Sequence, residues 1–471
     1  MSEWKSVFDA NISLYVRIIV EHLLNNGWQM ISINDYIRNM PSFSCMDALK
    51  TNDYQKEGLF PIVSQSKDLI SGYTDNKQLV NKIDSPIIIF GDHTQVVKYI
   101  DFDFVLGADG TKILTVSKDY LPKFLYYIIK SIDLHSNKYA RHYSKLRKEK
   151  IPYCKDSINI QEKIVAFLDS LAENAIEEKN YFDKIIESKI ISLQKECLNI
   201  CLIEKENEKQ KSYAKQLRQN ILQEAIEGKL TADWRKQHPI QKGNPDYDAE
   251  ALFDKIQAEK SRTKNSPKTV APITEDDIPF EIPTNWKWVR LGEIINLLSG
   301  RDFEPTEYND KQEGIPYITG ASNIGENGII INRWTKTPKC IAKYGDLLLV
   351  CKGSGYGTLA YADFEQAHIA RQIMSITSFS NYISLKYIEF ILRANFLYLK
   401  TQGKGLIPGI DRDTVLNIFV GLPPLAEQKE IVARVEQHLQ TITQLETQIA
   451  TRETTTKQLL QSILKDAFEE R

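Results

Sequence analysis

Gln161-Glu162-Lys163-Ile164-Val165-Ala166 returns in the second half of the chain as Gln428-Lys429-Glu430-Ile431-Val432-Ala433. In both places the apolar residues that follow fall three and four apart, the spacing of a helix with one buried face. Downstream of the first copy the series is Ile164, Leu168, Leu171, Ala175, Phe182, Ile185, Leu193, Cys197 and Ile200. Downstream of the second it is Ile431, Val435, Leu439, Ile442, Leu445, Ile449, Leu459 and Ile463, with Arg452 and Thr456 weakening the seam. Further on, Lys215-Gln216-Leu217 with Ile221, Leu222 and Ala225 answers Lys457-Gln458-Leu459 with Ile463, Leu464 and Ala467. Neither stripe can stand alone in water, and each is the other's natural partner in an antiparallel coiled coil. The first copy is longer by about 25 residues, about seven whole turns, so its face stays in register. A helix of roughly 45 residues from Gln161 would reach about 70 Å, the length of a strut between two globular units.

Each repeated helix follows a second shared pattern. Gly27-Trp28-Gln29-Met30-Ile31-Ser32-Ile33 aligns with Asn285-Trp286-Lys287-Trp288-Val289-Arg290-Leu291. Leu59-Phe60-Pro61-Ile62-Val63 answers Gly314-Ile315-Pro316-Tyr317-Ile318, and Ile87 to Gly91 answers Leu347 to Cys351 as buried strands leading into loops. Lys123 to Ile128 and Lys386 to Ile391 share helical spacing. The order is globular, helical, globular, helical, and both globular parts mix strands with helices. An amphipathic helix precedes the first, from Trp4 to Leu24. Gly243-Asn244-Pro245 and the stretch from Ser266 to Pro283 read as linkers around a short helix near Asp248 to Lys260.

At 471 residues, with 42% hydrophobic and 26% charged, the chain can bury several cores. Sixty basic against 62 acidic side chains leave a net charge of −2, so any nucleic-acid binding must be local or partner-assisted. No apolar run approaches the length of a membrane span and the N-terminal stretch reads as an amphipathic helix, so a soluble chain in the cytoplasm is expected. The six cysteines are dispersed without metal or disulfide spacing, and Cys197 and Cys201, one turn apart, read as packing residues.

The chemistry that is missing narrows the function. Asn244-Pro245-Asp246-Tyr247 lacks the second proline of an adenine-methylating motif. Gly353-Ser354-Gly355-Tyr356-Gly357 runs on into a strand at Thr358, which makes it a hairpin loop and not a phosphate cradle. The seven histidines show no metal spacing, so neither catalysis nor a bound metal is expected.

Taken together these segments resemble one family, the specificity subunits of type I DNA restriction-modification systems. The residues that carry the resemblance are Leu422-Pro423-Pro424-Leu425-Ala426-Glu427-Gln428-Lys429-Glu430-Ile431-Val432, Leu217 to Leu222, Glu227-Gly228-Lys229-Leu230, Asp233-Trp234-Arg235, and Ile278-Pro279-Phe280 through Gly292. The first half departs from the pattern: Lys155-Asp156-Ser157-Ile158 stands where the proline pair would be. The resemblance implies an α+β chain, two mixed α/β target-recognition domains joined by long antiparallel coiled-coil helices. The expected parts are a first recognition domain at 1–157, a first conserved helical region at 158–235, a linker at 236–284, a second recognition domain at 285–421 and a second helical region at 422–471. It further implies a non-catalytic subunit that binds double-stranded DNA, two methyltransferase subunits and two restriction-translocase subunits. S-adenosylmethionine, ATP and Mg would belong to those partners.

Reading bases takes polar and basic side chains on loops, with phosphate contacts setting the register. The candidates are His93, Thr94, Lys112, Arg141, His142 and Lys145 in the first half, and Lys352, Ser354, Tyr356, Arg371, Gln372 and Lys404 in the second. Lys138 to Lys150 is the strongest basic concentration in the chain. The candidates for partner docking are Ile164, Leu168, Ile221, Leu222, Ile431, Val435, Ile463 and Leu464. Two rivals share the composition: a helical scaffold whose globular parts bind proteins, and an enzyme with an unrecognised site.

Overall fold

The computed structural model describes residues 2–39, 49–107, 110–134, 141–176, 180–262, 273–274, 278–325, 328–353, 355–379, 381–401 and 409–469. The chain forms two compact units, Met1–Asn207 with Arg452–Arg471, and Glu208–Thr451. The first opens with α1 (Glu3–Asn25), where the Ser2 hydroxyl accepts from Lys5 N as the helix cap. Its short strands are β1 (Gln29–Ser32), β2 (Ile37–Asn39), β3 (Phe60–Val63), β4 (Gly72–Thr74), β5 (Val80–Asn81), β6 (Ile87–Gly91), β7 (Val97–Ile100), β8 (Phe104–Leu106) and β9 (Thr111–Val116). α2 (Pro122–Ser131), the single turn α3 (Tyr143–Leu146), β10 (Lys150–Tyr153) and α4 (Ile158–Glu173) follow.

One sheet has the order β2-β9-β6-β7, a second has β4-β3-β8-β5, and β1 pairs with β10. β6 is buried along its whole length because each face has its own cover. Ile88 and Phe90 join Leu114 and the helical residues Phe8, Phe124, Ile164 and Leu168, while Ile87 and Ile89 join Val63, Phe104 and Ile113 on the other side. A strand sandwiched in this way reads as a continuous apolar run.

The uninterrupted helix expected from Gln161 does not form. α4 ends at Asn174, which takes the left-handed conformation (φ 56°, ψ 35°) that asparagine tolerates better than most side chains. A new helix, α5 (Lys184–Ile226), starts beyond it, and Asp183 Oδ1 accepts from Ile185 N and Ile186 N, each at 3.0 Å. Glu187 reaches back to accept from Asp183 N at 3.0 Å, so both ends of the break carry their own stop and start signals.

The second unit repeats the plan. α6 (Ala232–Gln237) and α7 (Ala249–Arg262) lead to β11 (Lys287–Arg290), α8 (Leu291–Ile294), β12 (Ile295–Ser299), β13 (Ile315–Ile318), the small hairpin β14 (Ile324–Gly325) and β15 (Gly328–Ile329), then β16 (Trp334–Thr335) and β17 (Ile341–Lys343). β18 (Leu347–Val350), β19 (Leu359–Tyr361), β20 (Gln366–Ile369), β21 (Ile373–Ser378), α9 (Leu385–Thr401), α10 (Arg412–Leu416), β22 (Phe419–Leu422) and α11 (Leu425–Glu469) complete it. The sheets are β12-β21-β18-β19 and β16-β13-β20-β17, and β11 pairs with β22. Apart from the β14-β15 hairpin, this is the connectivity of the first unit.

The repeat corrects one alignment. Facing the helices are Ile88 and Phe90 in β6 but Leu347, Leu349 and Cys351 in β18 and just after it. Ile88 therefore matches Leu347, and Asp92 matches Cys351, one residue away from the pairing expected from sequence.

Within each unit, segments of α5 and α11 run antiparallel. In the second, Arg218 pairs with Glu446 at 2.9 Å beside the buried Ile221, Leu222, Val435 and Ile442. In the first, Arg452 Nη1 donates to the fully buried Asn207 Oδ1 at 3.3 Å, and Ala467 joins Ile190 and Leu193 in the core. A polar pair inside an apolar seam favours one register over its neighbours.

Candidate nucleic-acid interface

In the first unit, four loops meet at the end of β6. Asp92 N donates to Gly110 O at 2.7 Å, and Asp92 O accepts from His142 N at 2.8 Å. Asp92 Oδ1 accepts from Tyr143 N at 2.8 Å, which satisfies an amide at the start of α3 from across the cluster. Gln65, two residues past β3, accepts at its carbonyl from Thr94 Oγ1 at 2.8 Å. Its side-chain Oε1 lies 3.4 Å from the donating His93 N. Gly110 sits at φ +86°, and a Cβ there would come within 2.7 Å of His93 Cδ2, so this turn needs glycine on both counts.

These bonds bring His93, Thr94, Lys112, Arg141, His142 and Lys145 into one place, although they are scattered in sequence. Thr94 and Arg141 are exposed, whereas His93, Lys112 and Lys145 are half-buried, with Lys112 Nζ 5.9 Å from the centre of the Tyr143 ring. His142 is only 4% exposed, so its role is corrected from contact to support: the backbone bond to Asp92 turns the ring inward. Lys98 on β7 is buried, and its ammonium donates to the carbonyls of Asp68 and Leu69, holding the loop that follows Gln65. Burial pulls this lysine down to about 8, partly offset by the charge of Asp68.

The second unit builds the same joint from other residues. Cys351 N donates to Gln372 O at 2.8 Å and Ile410 N to Cys351 O at 2.7 Å, matching the two backbone bonds of Asp92. β18 and β19 form the hairpin expected around the glycine-rich loop. Lys352 is exposed and bridged to Gly409. Arg371, 68% exposed at its side chain, is held by Asp302, with Nε 2.6 Å from Oδ2 and its own N donating to Oδ1 at 3.1 Å. Gln372 is exposed beside it. Tyr356 is half-buried and packs against the main core of this unit. Ser354 and Lys404 lie outside the described residues.

Beneath Arg371, His368 is fully buried and stacked on Phe303 at 4.0 Å. Its Nδ1 accepts from Cys340 N at 3.1 Å and Lys339 N at 3.3 Å, so Nε2 carries the proton and donates to Arg301 O at 2.7 Å. Burial lowers its pKa, and the neutral tautomer pins the segment that carries Asp302.

The docking candidates Ile164, Leu168, Ile221, Leu222, Ile431 and Val435 are buried in the core of their own unit, and Ile463 and Leu464 pack against the first core. This corrects the expected docking surface: a stripe consumed inside its own unit leaves different side chains outward. Those are Ile185, Leu202, Ile203 and Leu459 in the first unit, and Tyr213, Leu217 and Leu445 in the second.

The repeated motif residues serve the fold. Gln161 Oε1 accepts from Leu121 N at 2.8 Å, and Gln428 Oε1 from Ser384 N at 3.1 Å, so each buried amide caps the helix packed against it. Leu425 N and Ala426 N donate to Pro245 O and Asp246 O at 3.1 and 3.2 Å. The string that resembles a methylation motif is thus the cap of α11. Among the residues sequence reasoning passed over are Gln65 and Asp302, which sit in ordinary loop sequence and act through partners far along the chain.

Residues 283–452 match the family described as the type I restriction modification DNA specificity domain. The EcoEI specificity subunit of Escherichia coli is 26% identical over 270 residues, 54% of this chain and 45% of that protein. The EcoR124I/EcoR124II specificity subunit, also of Escherichia coli, is 31% identical over 135 residues, 26% of this chain and 33% of that protein. The matches therefore span less than half the length of these curated relatives. The HsdS subunit from Thermoanaerobacter tengcongensis aligns at a TM-score of 0.44 and 18% identity, over 94% of this chain and 97% of that one. Residues 283–452 thus match a type I restriction modification DNA specificity domain, and the first unit repeats the strand plan of the second.

Proposed function

We infer that this chain is the non-catalytic DNA-recognition subunit of a type I restriction-modification complex. Each mixed module reads one half of an asymmetric, interrupted target in double-stranded DNA. The observation that carries this reading is the pair of loop clusters: one strand order presents two unlike sets of side chains. Identical sets would favour a palindrome, and unlike sets favour unlike half-sites.

In this reading Arg141, Lys112 and Lys145 follow phosphates in one half, and Lys352 and Arg371 do so in the other, with Thr94 and Gln372 facing base edges. Ser354 and Lys404 remain candidates for contact with DNA in the second half. The outward apolar residues of α5 and α11 dock two methyltransferase subunits, and two restriction-translocase subunits join for cleavage. S-adenosylmethionine, ATP and Mg act in those partners, in the cytoplasm. The domain reading is the one expected from sequence, with recognition domains at 1–157 and 285–421 and helical regions at 158–235 and 422–471 around the linker at 236–284.

Long-read sequencing for methyladenine in cells with and without this gene tests the reading. One bipartite motif should vanish with the gene. A methylome that stays the same, together with no band shift on unmodified DNA even when the methylating subunit is added, would favour a protein-binding scaffold instead.

A further inference from the structure

The two modules exchange a glutamine for a glycine across the same pair of facing loops. In the first unit the loop after β3 carries Gln65 and the turn before β9 carries Gly110, and a Cβ on Gly110 would lie 3.2 Å from Gln65 Nε2. In the second unit the loop after β13 carries Gly320 and the turn before β21 carries Gln372, and a Cβ on Gly320 would lie 2.6 Å from Gln372 Oε1.

Backbone bonds fix the equivalence. Gly107 N donates to Val63 O at 2.9 Å, as Ala370 N does to Ile318 O at 2.9 Å, which matches Gln65 with Gly320 two residues beyond each strand. Asp92 N donates to Gly110 O as Cys351 N does to Gln372 O, at 2.7 and 2.8 Å, which matches Gly110 with Gln372. Each module therefore holds one carboxamide against one glycine at the same point of its loop cluster, delivered from opposite loops. The facing glycine leaves the space that the amide uses.

A carboxamide carries an acceptor and two donors in one plane, which matches the N7 acceptor and N6 donor of adenine in the major groove. Cations stand nearby in both clusters: Arg141 and Lys112 in one, Arg371 and Lys352 in the other. The neighbours of the amide differ. Gln65 lies beside Gly91 and His93, and Gln372 lies beside Gly320 and Gly353. We propose that Gln65 and Gln372 are equivalent specificity-determining residues, each reading one adenine in its own half of the target. The assignment rests on the recognition function proposed above.

The test uses the full chain with its methylating subunit, and scores methylation across a DNA library that carries every base at each position of both half-sites. Gln65→Ala should relax selection at one position of one half by about tenfold to a hundredfold, and Gln372→Ala should do so in the other half only. Gln65→Glu and Gln372→Glu keep the shape of the side chain and so guard against a folding defect. A carboxylate accepts from the cytosine amine, so each should move preference at that same position from adenine toward cytosine. A wild-type complex that selects a bipartite target, combined with variants that lower methylation evenly over all sequences or alter both halves alike, would overturn the assignment and leave the recognition function standing. A wild-type complex with no sequence selection would sink both.

Discussion

The indole of Trp286 donates from Nε1 to the carboxylate of Glu427 at 2.9 Å, although 141 residues separate them. Asn285 Nδ2 shares that oxygen at 3.1 Å, and Thr231 donates to the other at 2.7 Å, where the Arg235 guanidinium also binds. Three segments of the family resemblance thus meet on one fully buried carboxylate.

Glu427→Ala should be severe. It leaves Arg235, a mostly buried cation, without its counter-charge, and breaking such a pair costs on the order of 3–5 kcal/mol. Thermal unfolding of the purified chain should show a lowered midpoint, with Glu427→Gln milder because it still offers one acceptor oxygen. A midpoint unchanged in Glu427→Ala would count against the hub.

Gln161 and Gln428 invite a paired comparison. Each amide accepts from the first turn of a neighbouring helix, so Gln161→Leu and Gln428→Leu should each destabilise by about 1–3 kcal/mol through an orphaned buried N–H. Hydrogen exchange should quicken at Leu121 in one variant and at Ser384 in the other. Unaltered exchange at both amides would show that the caps contribute nothing.

Most of the fold was legible in the sequence because it is written twice, and the limits of that reading are physical. The helical motif stood out, but Gln161 inside it gave no hint of the backbone amide it caps, since that partner lies 40 residues upstream. The match of Ile87–Gly91 with Leu347–Cys351 slipped by one because both faces of β6 and β18 are buried, so neither strand alternates. The stop at Asn174 was signalled locally, yet the apolar series ran through it at helical spacing. In the candidate interface the exposed cations Arg141, Lys352 and Arg371 were found by charge and position. Gln65, Asp302 and the positioning bond of Asp92 were not, because a glutamine or aspartate in a loop acquires its meaning only from the glycine, amide or arginine it faces.

His368 makes the second unit sensitive to acid. Its native pKa is depressed by burial, so the unfolded chain, with an ordinary value near about 6.5, binds the proton first. This contribution to stability is intact above that pH and is lost as pH falls through the native value. The charged ring could no longer accept from Cys340 N and Lys339 N, and the segment bearing Asp302 would loosen. Unfolding midpoints measured from pH 7.5 down to 5 should fall more steeply in wild type than in His368→Gln, which has no proton to gain. Parallel curves would remove His368 from the account.

On the recognition function proposed above, Asp92 separates a residue that positions a DNA-reading loop from one that touches DNA. Its side chain is buried and acidic, an unfavourable choice beside phosphate, and its bond is to Tyr143 N behind the basic stretch that carries Arg141 and Lys145. Asp92→Asn keeps an acceptor for that amide and should bind DNA about as well as wild type. Asp92→Ala orphans the amide and frees the stretch, so cations held in register would be lost together. Each phosphate contact given up lowers the slope of log K against log salt by about 0.9. With the methylating subunit present, Asp92→Ala should therefore bind more weakly and with a shallower salt slope, while changes in the second half-site should matter as much as in wild type. Equal loss in the alanine and asparagine variants would mean instead that the charge itself is needed, and a slope identical to wild type would mean that the basic stretch does not meet phosphate.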